Sequence, residues 1–324
     1  MKAVLSSLTL AISALLLSSQ LQAEPKRPEC IAPAKPGGGF DITCKLAQVG
    51  LKDAGLLKQP MRVTYMPGGI GAVAYNAVVA QRPDDPGTIT AWSSGSLLNL
   101  AQGKFGRYDE KAVRWLAAIG TDYGAITVRE DSPLRTFDDL VQALKQDPSS
   151  LVIGAGGTIG SQDWMQVALI ARCANVNPRK LRYVAFEGGG EPVTALLGGH
   201  VQLITSGIGE STAQLEAGKV RVLAVMSDQR LSGKLADIPT VKESGCDASW
   251  PIVRGFYMGP EVSDEDYNWW KQQFDVLLAS EAFTQQREQR DLLPMAMTGE
   301  EVQTFVYKQV DQFKSLAGEF GLTQ

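Results

Sequence analysis

The chain has 324 residues, 44% of them apolar and 20% charged, with a formal net charge of −4. Its length suits about two domains, its apolar share excludes low-complexity disorder, and its mild acidity excludes the basic stripe that a nucleic-acid partner requires. Thirty-three glycines, about ten per cent of the chain, exceed the usual level of ~7%.

Residues 1–23 read as a secretory signal peptide. Lys2 precedes an apolar stretch over 4–17 that is diluted by Ser6, Ser7, Thr9 and Ser13, and a small-residue exit ends at Ala23. The run is shorter and more polar than the ~20 residues of a membrane span. The expectation is export, cleavage after Ala23 and residence in the periplasm. An exported chain permits disulfides, and Cys30, Cys44, Cys173 and Cys246 allow three pairings. Cys30–Cys44 is the favoured pair, because it ties the first strand to the first helix across the loop between them. Cys173 and Cys246 are either paired by elimination or free thiols. No C-x-x-C spacing supports a redox motif or a zinc site.

A local pattern recurs along the chain: a short apolar run, a glycine cluster, then a helix-like stretch. Residues 30–34 lead into Pro36-Gly37-Gly38-Gly39, with Asp41 expected as the N-cap of a helix over 42–54. Residues 62–65 lead into Pro67-Gly68-Gly69-Ile70-Gly71 and a helix over 72–80, and 88–92 into Ser93-Ser94-Gly95-Ser96. An extended stretch over 118–129 reads as a crossing between lobes, and a helix opens after Thr136. Residues 151–153 then lead into Gly154 through Ser161 and a helix over 164–174, 181–186 into Gly188-Gly189-Gly190, and 201–205 into Ser206-Gly207-Ile208-Gly209. A return crossing falls between 221–225 and 252–258, and helices fill 264–280, 281–290 and 299–320. Strands alternating with helices predict βα units and a largely parallel sheet. Six glycine loops at strand ends place six helix N-termini around a common crevice. The expected fold is a bilobed α/β protein. Lobe 1 is formed by 24–125 and 229–324 and lobe 2 by 126–228, with the return boundary as late as 252.

Glycine loops at helix N-termini offer unpaired backbone N–H groups and the positive end of the helix dipole, so they suit anions. No Walker A or dinucleotide fingerprint is present, nor a G-x-S-x-G elbow. His200 is the sole histidine and sits in a Gly-Gly corner, so neither a Ser-His-Asp triad nor a histidine metal site is supported. The carboxylates Asp41, Asp122, Asp163 and Glu210 are too scattered to nominate as an acid/base pair. The site binds rather than transforms. Lys35 beside the first loop and Arg254 near the return crossing would serve a ligand with several negative charges, while Tyr65, Tyr123, Trp92 and Trp164 could supply walls or hydroxyls.

Six stretches in order resemble the periplasmic substrate-binding proteins of the tripartite tricarboxylate transporters, from about Glu29 to the C-terminus. They are Pro36 to Asp41, Pro67 to Gly71, Gly156 to Ser161, Gly188 to Val201, Ala217 to Val225 and Ile238 to Glu243. The resemblance implies a type II periplasmic-binding-protein fold and no enzymatic activity. It places a ligand carboxylate between the loop over Gly37, Gly38, Gly39 and Asp41 and the loop over Glu187, Gly188 and Gly189. Ser94, Ser96, Thr158, Ser161 and Ser206 would read the rest of the ligand. Lys35 stands where an apolar or aromatic residue is usual, and Gln162-Asp163 replaces the usual histidine region. The Cys30/Cys44 pair and the stretches around Tyr65, Tyr123, Glu187 and Arg254 resemble the branch that binds citrate and related tricarboxylates. Glu187 and Glu191 oppose a trianion unless they face solvent or share a divalent cation with it. The implied function is a monomeric receptor that delivers a tri- or dicarboxylate to inner-membrane permease subunits, without cofactor. The alternatives are a carboxylate-sensing adaptor for a signalling kinase and an exported carboxylate-modifying enzyme.

Overall fold

In the computed structural model, which describes residues 24–322, a strand at Glu29–Ala32 (β1) feeds through the first glycine loop into a helix at Gly39–Asp53 (α1). The expected signal peptide lies outside the described residues. The unit repeats as Arg62–Tyr65 (β2) with Ala72–Gln81 (α2), and Thr88–Ser93 (β3) with Ser94–Ala101 (α3). A long strand, Arg114–Arg129 (β4), and a helix, Phe137–Gln146 (α4), lead to three more units. These are Val152–Gly156 (β5) with Gln162–Cys173 (α5), Arg182–Phe186 (β6) with Gly190–Leu197 (α6), and Leu203–Gly207 (β7) with Thr212–Glu216 (α7). Val220–Val225 (β8) and Pro251–Met258 (β9) follow. Asp264–Leu278 (α8), Glu281–Glu288 (α9), Met297–Thr298 (β10) and Glu300–Glu319 (α10) end the chain.

The local chemistry explains the elements. β1 and β3 are buried along their whole length, as strands covered on both faces must be. α4 begins at a capping box of Thr136 and Asp139 and buries Phe137, Leu140 and Leu144, one stripe at helical spacing. α1 begins three residues earlier than expected: Gly38 is its N-cap and Asp41 lies inside its first turn. Asp41 reaches back to accept the Gly37 N–H at 2.8 Å, so it braces the loop from within the helix.

The sheet order is β2-β1-β3-β9-β4-β7-β5-β6, with β8 and β10 also on β4. β4 pairs with β9 from Arg114 to Tyr123, and with β7 and β8 from Gly124 to Arg129. Its partners therefore change at one peptide, and the sheet has two halves joined through that strand. Between strands, the parallel pairs are β1 with β2 and β3, and β5 with β6 and β7. Every pairing of β4 and β9 is antiparallel, which corrects the expectation of a largely parallel sheet. The βα units need crossover helices and so run parallel, whereas the two strands passing between the halves run in opposite directions.

Trp92, Trp115 and Tyr257 pack edge to face in a core that continues into Trp164 and Trp250 of the other half. A second core seats α1, α8 and α9 against β1 and Phe256. Trp92 and Trp164 are core residues, not site walls. Both disulfides form: Cys30–Cys44 joins β1 to α1, and Cys173–Cys246 joins the end of α5 to the segment before β9. Their sequence separations are 14 and 73. Replacing Cys30 and Cys44 by Ala should cost about 3 kcal/mol, and replacing Cys173 and Cys246 about 4 kcal/mol. Urea denaturation measures both, and a smaller loss for the longer loop would overturn the chain-entropy account.

Candidate functional site

All six glycine loops reach one point. Gly38 and Gly39, Ile70, Ser93 and Gly95, Gly156, Gly188 and Gly189, and Glu210 line a cavity of about 40 Å³, together with Gln162, Asp163 and Arg254. The halves touch across it. A Cβ on Gly38 would stand 3.0 Å from the Gly189 nitrogen, and one on Gly190 would stand 2.8 Å from the Pro36 carbonyl. Gln102 donates to the Gly160 carbonyl at 2.7 Å and Lys104 to the Ile159 carbonyl at 2.9 Å. At the rim the Lys35 ammonium meets Glu191 at 2.7 Å. The cleft is closed on itself. Beside it, a pocket of about 430 Å³ opens between Asn99, Lys104, Thr158, Phe186 and Glu187, and Ile70 lines both spaces. That size is ordinary for a small-molecule pocket.

The centre of the closed cleft is charged. Arg254, on β9, donates from Nη2 to Asp122 Oδ2 on β4 at 3.0 Å, and Glu210 Oε1 lies 3.5 Å from the same nitrogen. The three side chains are 3%, 1% and 6% exposed. Asp163, in the first turn of α5, accepts the Gly156 N–H at 3.0 Å and lies at the same centre. Glycine makes room for these groups: a Cβ on Gly39 would overlap the Arg254 guanidinium, and one on Gly189 would overlap the Glu210 carboxyl. Burial raises Glu210 to about 8 and Asp163 to about 6, Arg254 opposing the shift in both. Burial also raises Asp122, against the pull of Arg254. One guanidinium cannot neutralise three buried carboxylates, so protons make up the difference.

The sequence-predicted residues divide into two groups. Gly38, Gly39, Gly188, Gly189 and Arg254 line the cavity, and Thr158, Ser161 and Glu187 line the adjoining pocket. The others are committed elsewhere. Gly37 and Asp41 brace the first loop, and Asp41 also accepts the Tyr65 hydroxyl at 2.9 Å and the Lys45 ammonium at 2.8 Å. Ser94 accepts the Val253 N–H, Ser96 accepts the N–H of Ser93, the N-cap of α3, and Ser206 is buried against the Gly207 carbonyl. Of the pocket residues, Ser161 is also the N-cap of α5 and donates to the Gly156 carbonyl. Tyr123 lines a separate pocket behind the crossing strands, with Leu231 and Pro294. Lys35 and Arg254, expected as free counter-charges, are each paired with a carboxylate of the chain itself. His200 is exposed in its corner. Asp122, Asp163, Glu210 and Gln162 were not nominated from the sequence. A signal was present, since each adjoins a glycine loop or the crossing segment, but their convergence belongs to the tertiary structure.

Among the described residues no helix is long and apolar enough to cross a membrane, and no His, Cys, Asp or Glu group suits a metal ion. A UPF0065 protein of Bordetella pertussis is 22% identical over 315 residues, covering 96% of this chain and 95% of its own. The periplasmic binding protein BugD superposes with a TM-score of 0.83 at 21% identity, covering 93% of this chain and 99% of its own. MatC from Rhodopseudomonas palustris, with bound malate, superposes with a TM-score of 0.79 at 18% identity, covering 89% and 98%. The mixed α/β fold is thus that of periplasmic binding proteins. Residues 45–322 match the tripartite tricarboxylate transporter family receptor, and the chain belongs to that family of solute-binding receptors.

Proposed function

We propose that the chain is an exported periplasmic receptor without enzymatic activity. It closes two lobes around a small carboxylate-bearing solute and delivers it to the permease subunits of a tripartite tricarboxylate transporter. The observation that carries this reading is the meeting of six glycine loops, three from each half of the sheet, at one cavity. The lobes would be 24–123 with 251–322, and 124–250, hinged where β4 changes partners and Trp250 donates to the Met226 carbonyl. A hinge of two crossing strands allows the closure that ligand contacts to both lobes would select.

Family membership and the malate in MatC support a carboxylate ligand. For a tricarboxylate such as citrate or cis-aconitate the support is weaker. Lys35 is bound to Glu191 and Arg254 to Asp122, so a trianion would have to displace the chain's own carboxylates. Glu187 and Glu191 line the adjoining pocket, not the charged centre.

Titration calorimetry of the chain from Glu24, freed of bound solute by unfolding and refolding, tests the reading with malate, succinate, glutamate and citrate. One-to-one binding of a carboxylate supports it; silence toward all four from folded protein removes the carboxylate assignment. Gly190→Ala adds a methyl group where the lobes meet at Pro36. It should weaken binding at least tenfold (about 1.4 kcal/mol) while leaving the ligand-free melting temperature unchanged. Unchanged affinity would mean that this contact does not form in the bound state.

A further inference from the structure

The buried side-chain polar atoms around the charged centre are unmet acceptors far more often than unmet donors. Asp122 Oδ1, Gln162 Oε1, Gln166 Oε1 and Glu210 Oε2 are buried without a hydrogen-bond partner, and Arg254 Nε is the one donor in the same state. A buried acceptor without a donor costs about 1–3 kcal/mol, more when it is charged. Formal charge says the same, because Asp122, Asp163 and Glu210 surround a single guanidinium. A polycarboxylate ligand would add acceptors and negative charge beside side chains that already hold unmet acceptors and three carboxyl groups to one guanidinium.

We propose that Glu210, with Asp163 and Asp122 behind it, recognises an ammonium group, so that the solute is an amino carboxylate and not a polycarboxylate. This rests on the receptor reading and narrows it. The cavity of about 40 Å³ is small and has room for a compact group such as an ammonium. The carbon chain and the carboxylate lie in the adjoining pocket that shares Ile70, where the Lys104 ammonium supplies donors. An ammonium offers three N–H donors and brings the positive charge that protons otherwise supply.

Proton exchange follows from this arrangement. The groups facing Glu210 are Arg254 on β9, Asp122 on β4 and Asp163 on α5; Tyr183 on β6 adjoins Asp163 and stays neutral. Glu210 holds a proton at neutral pH, its pKa being raised to about 8. An entering ammonium expels that proton, and affinity rises from pH 6 to pH 8.5. A carboxylate at the same point would retain or take up protons, and its affinity would fall.

The test is calorimetry with matched pairs in which one terminal carboxylate is replaced by an ammonium: glutarate against 4-aminobutanoate, and adipate against 5-aminopentanoate, with glutamate and citrate alongside. At least one amino carboxylate is expected to bind tenfold or more tightly than its matched diacid or citrate. Its binding enthalpy at pH 7 should depend on the ionisation enthalpy of the buffer, with net proton release. Glu210→Gln should weaken that ligand at least tenfold, abolish the proton release and leave diacid affinity equal or higher. Tighter binding of the diacids or citrate, unaffected by Glu210→Gln, would overturn the ammonium site and leave the receptor reading standing. Absence of binding by every amino carboxylate overturns it as well, and the receptor reading falls with it only if the diacids and citrate are also silent.

Discussion

Replacing Arg254 by Met is expected to lower the unfolding free energy by about 3–5 kcal/mol at pH 7.5, read from urea denaturation. The guanidinium is 3% exposed and is the cation shared by Asp122 and Glu210. Without it, Asp122 is left buried with no counter-charge. An unpaired buried ion costs far more than the pair contributes, because desolvation is no longer offset. Two controls separate this cause from simple loss of packing. The penalty should shrink at pH 5, where Asp163 and Glu210, raised to about 6 and about 8, are both mostly protonated. Adding Asp122→Asn should restore part of the loss, because the stranded charge is then gone. A penalty independent of pH and not relieved by Asp122→Asn would show that Arg254 acts by filling space alone.

The second large effect concerns Glu210→Gln, which should stabilise the chain on the alkaline side by an amount on the order of a few kcal/mol. Folding raises this carboxyl from 4.5 to about 8, first through burial and then through Asp163 and Asp122, with Arg254 opposing. The native chain therefore keeps a proton that the unfolded chain releases. Stability from this group is full below pH 4.5 and is lost as pH rises toward 8. Asp163 adds a loss of the same sign between its ordinary 3.8 and about 6. The melting temperature of the parent chain should fall between pH 5 and pH 8.5, and that of Glu210→Gln should fall less and cross above it. A flat parent profile would show that the carboxyl is solvated in solution, as it would be with the cleft open.

The same charge centre explains why the site was only half legible beforehand. Periodicity and glycine punctuation are local properties, and they located the βα units, the extended stretch over 118–129 and the C-terminal helices because each depends on residues a few positions apart. Asp41 shows the limit of that kind of reading. Its position at the start of a helix was visible, but its place inside the first turn and its hold on the Gly37 N–H were not. Lys35 shows another limit. A cation beside an anion-binding loop reads as a ligand contact until Glu191, 156 residues away, is brought to 2.7 Å.

The sequence by itself determined the α/β units, the six loops and the family, all from short-range patterns that survive without coordinates. Only the tertiary structure decided the antiparallel course of β4 and β9 and the meeting of the loops at one cavity. It also decided the sign of the charge there. Asp122, Asp163, Glu210 and Arg254 are far apart in the chain, and their protonation depends on mutual distance and burial. Both quantities exist only once the two halves have closed on one another.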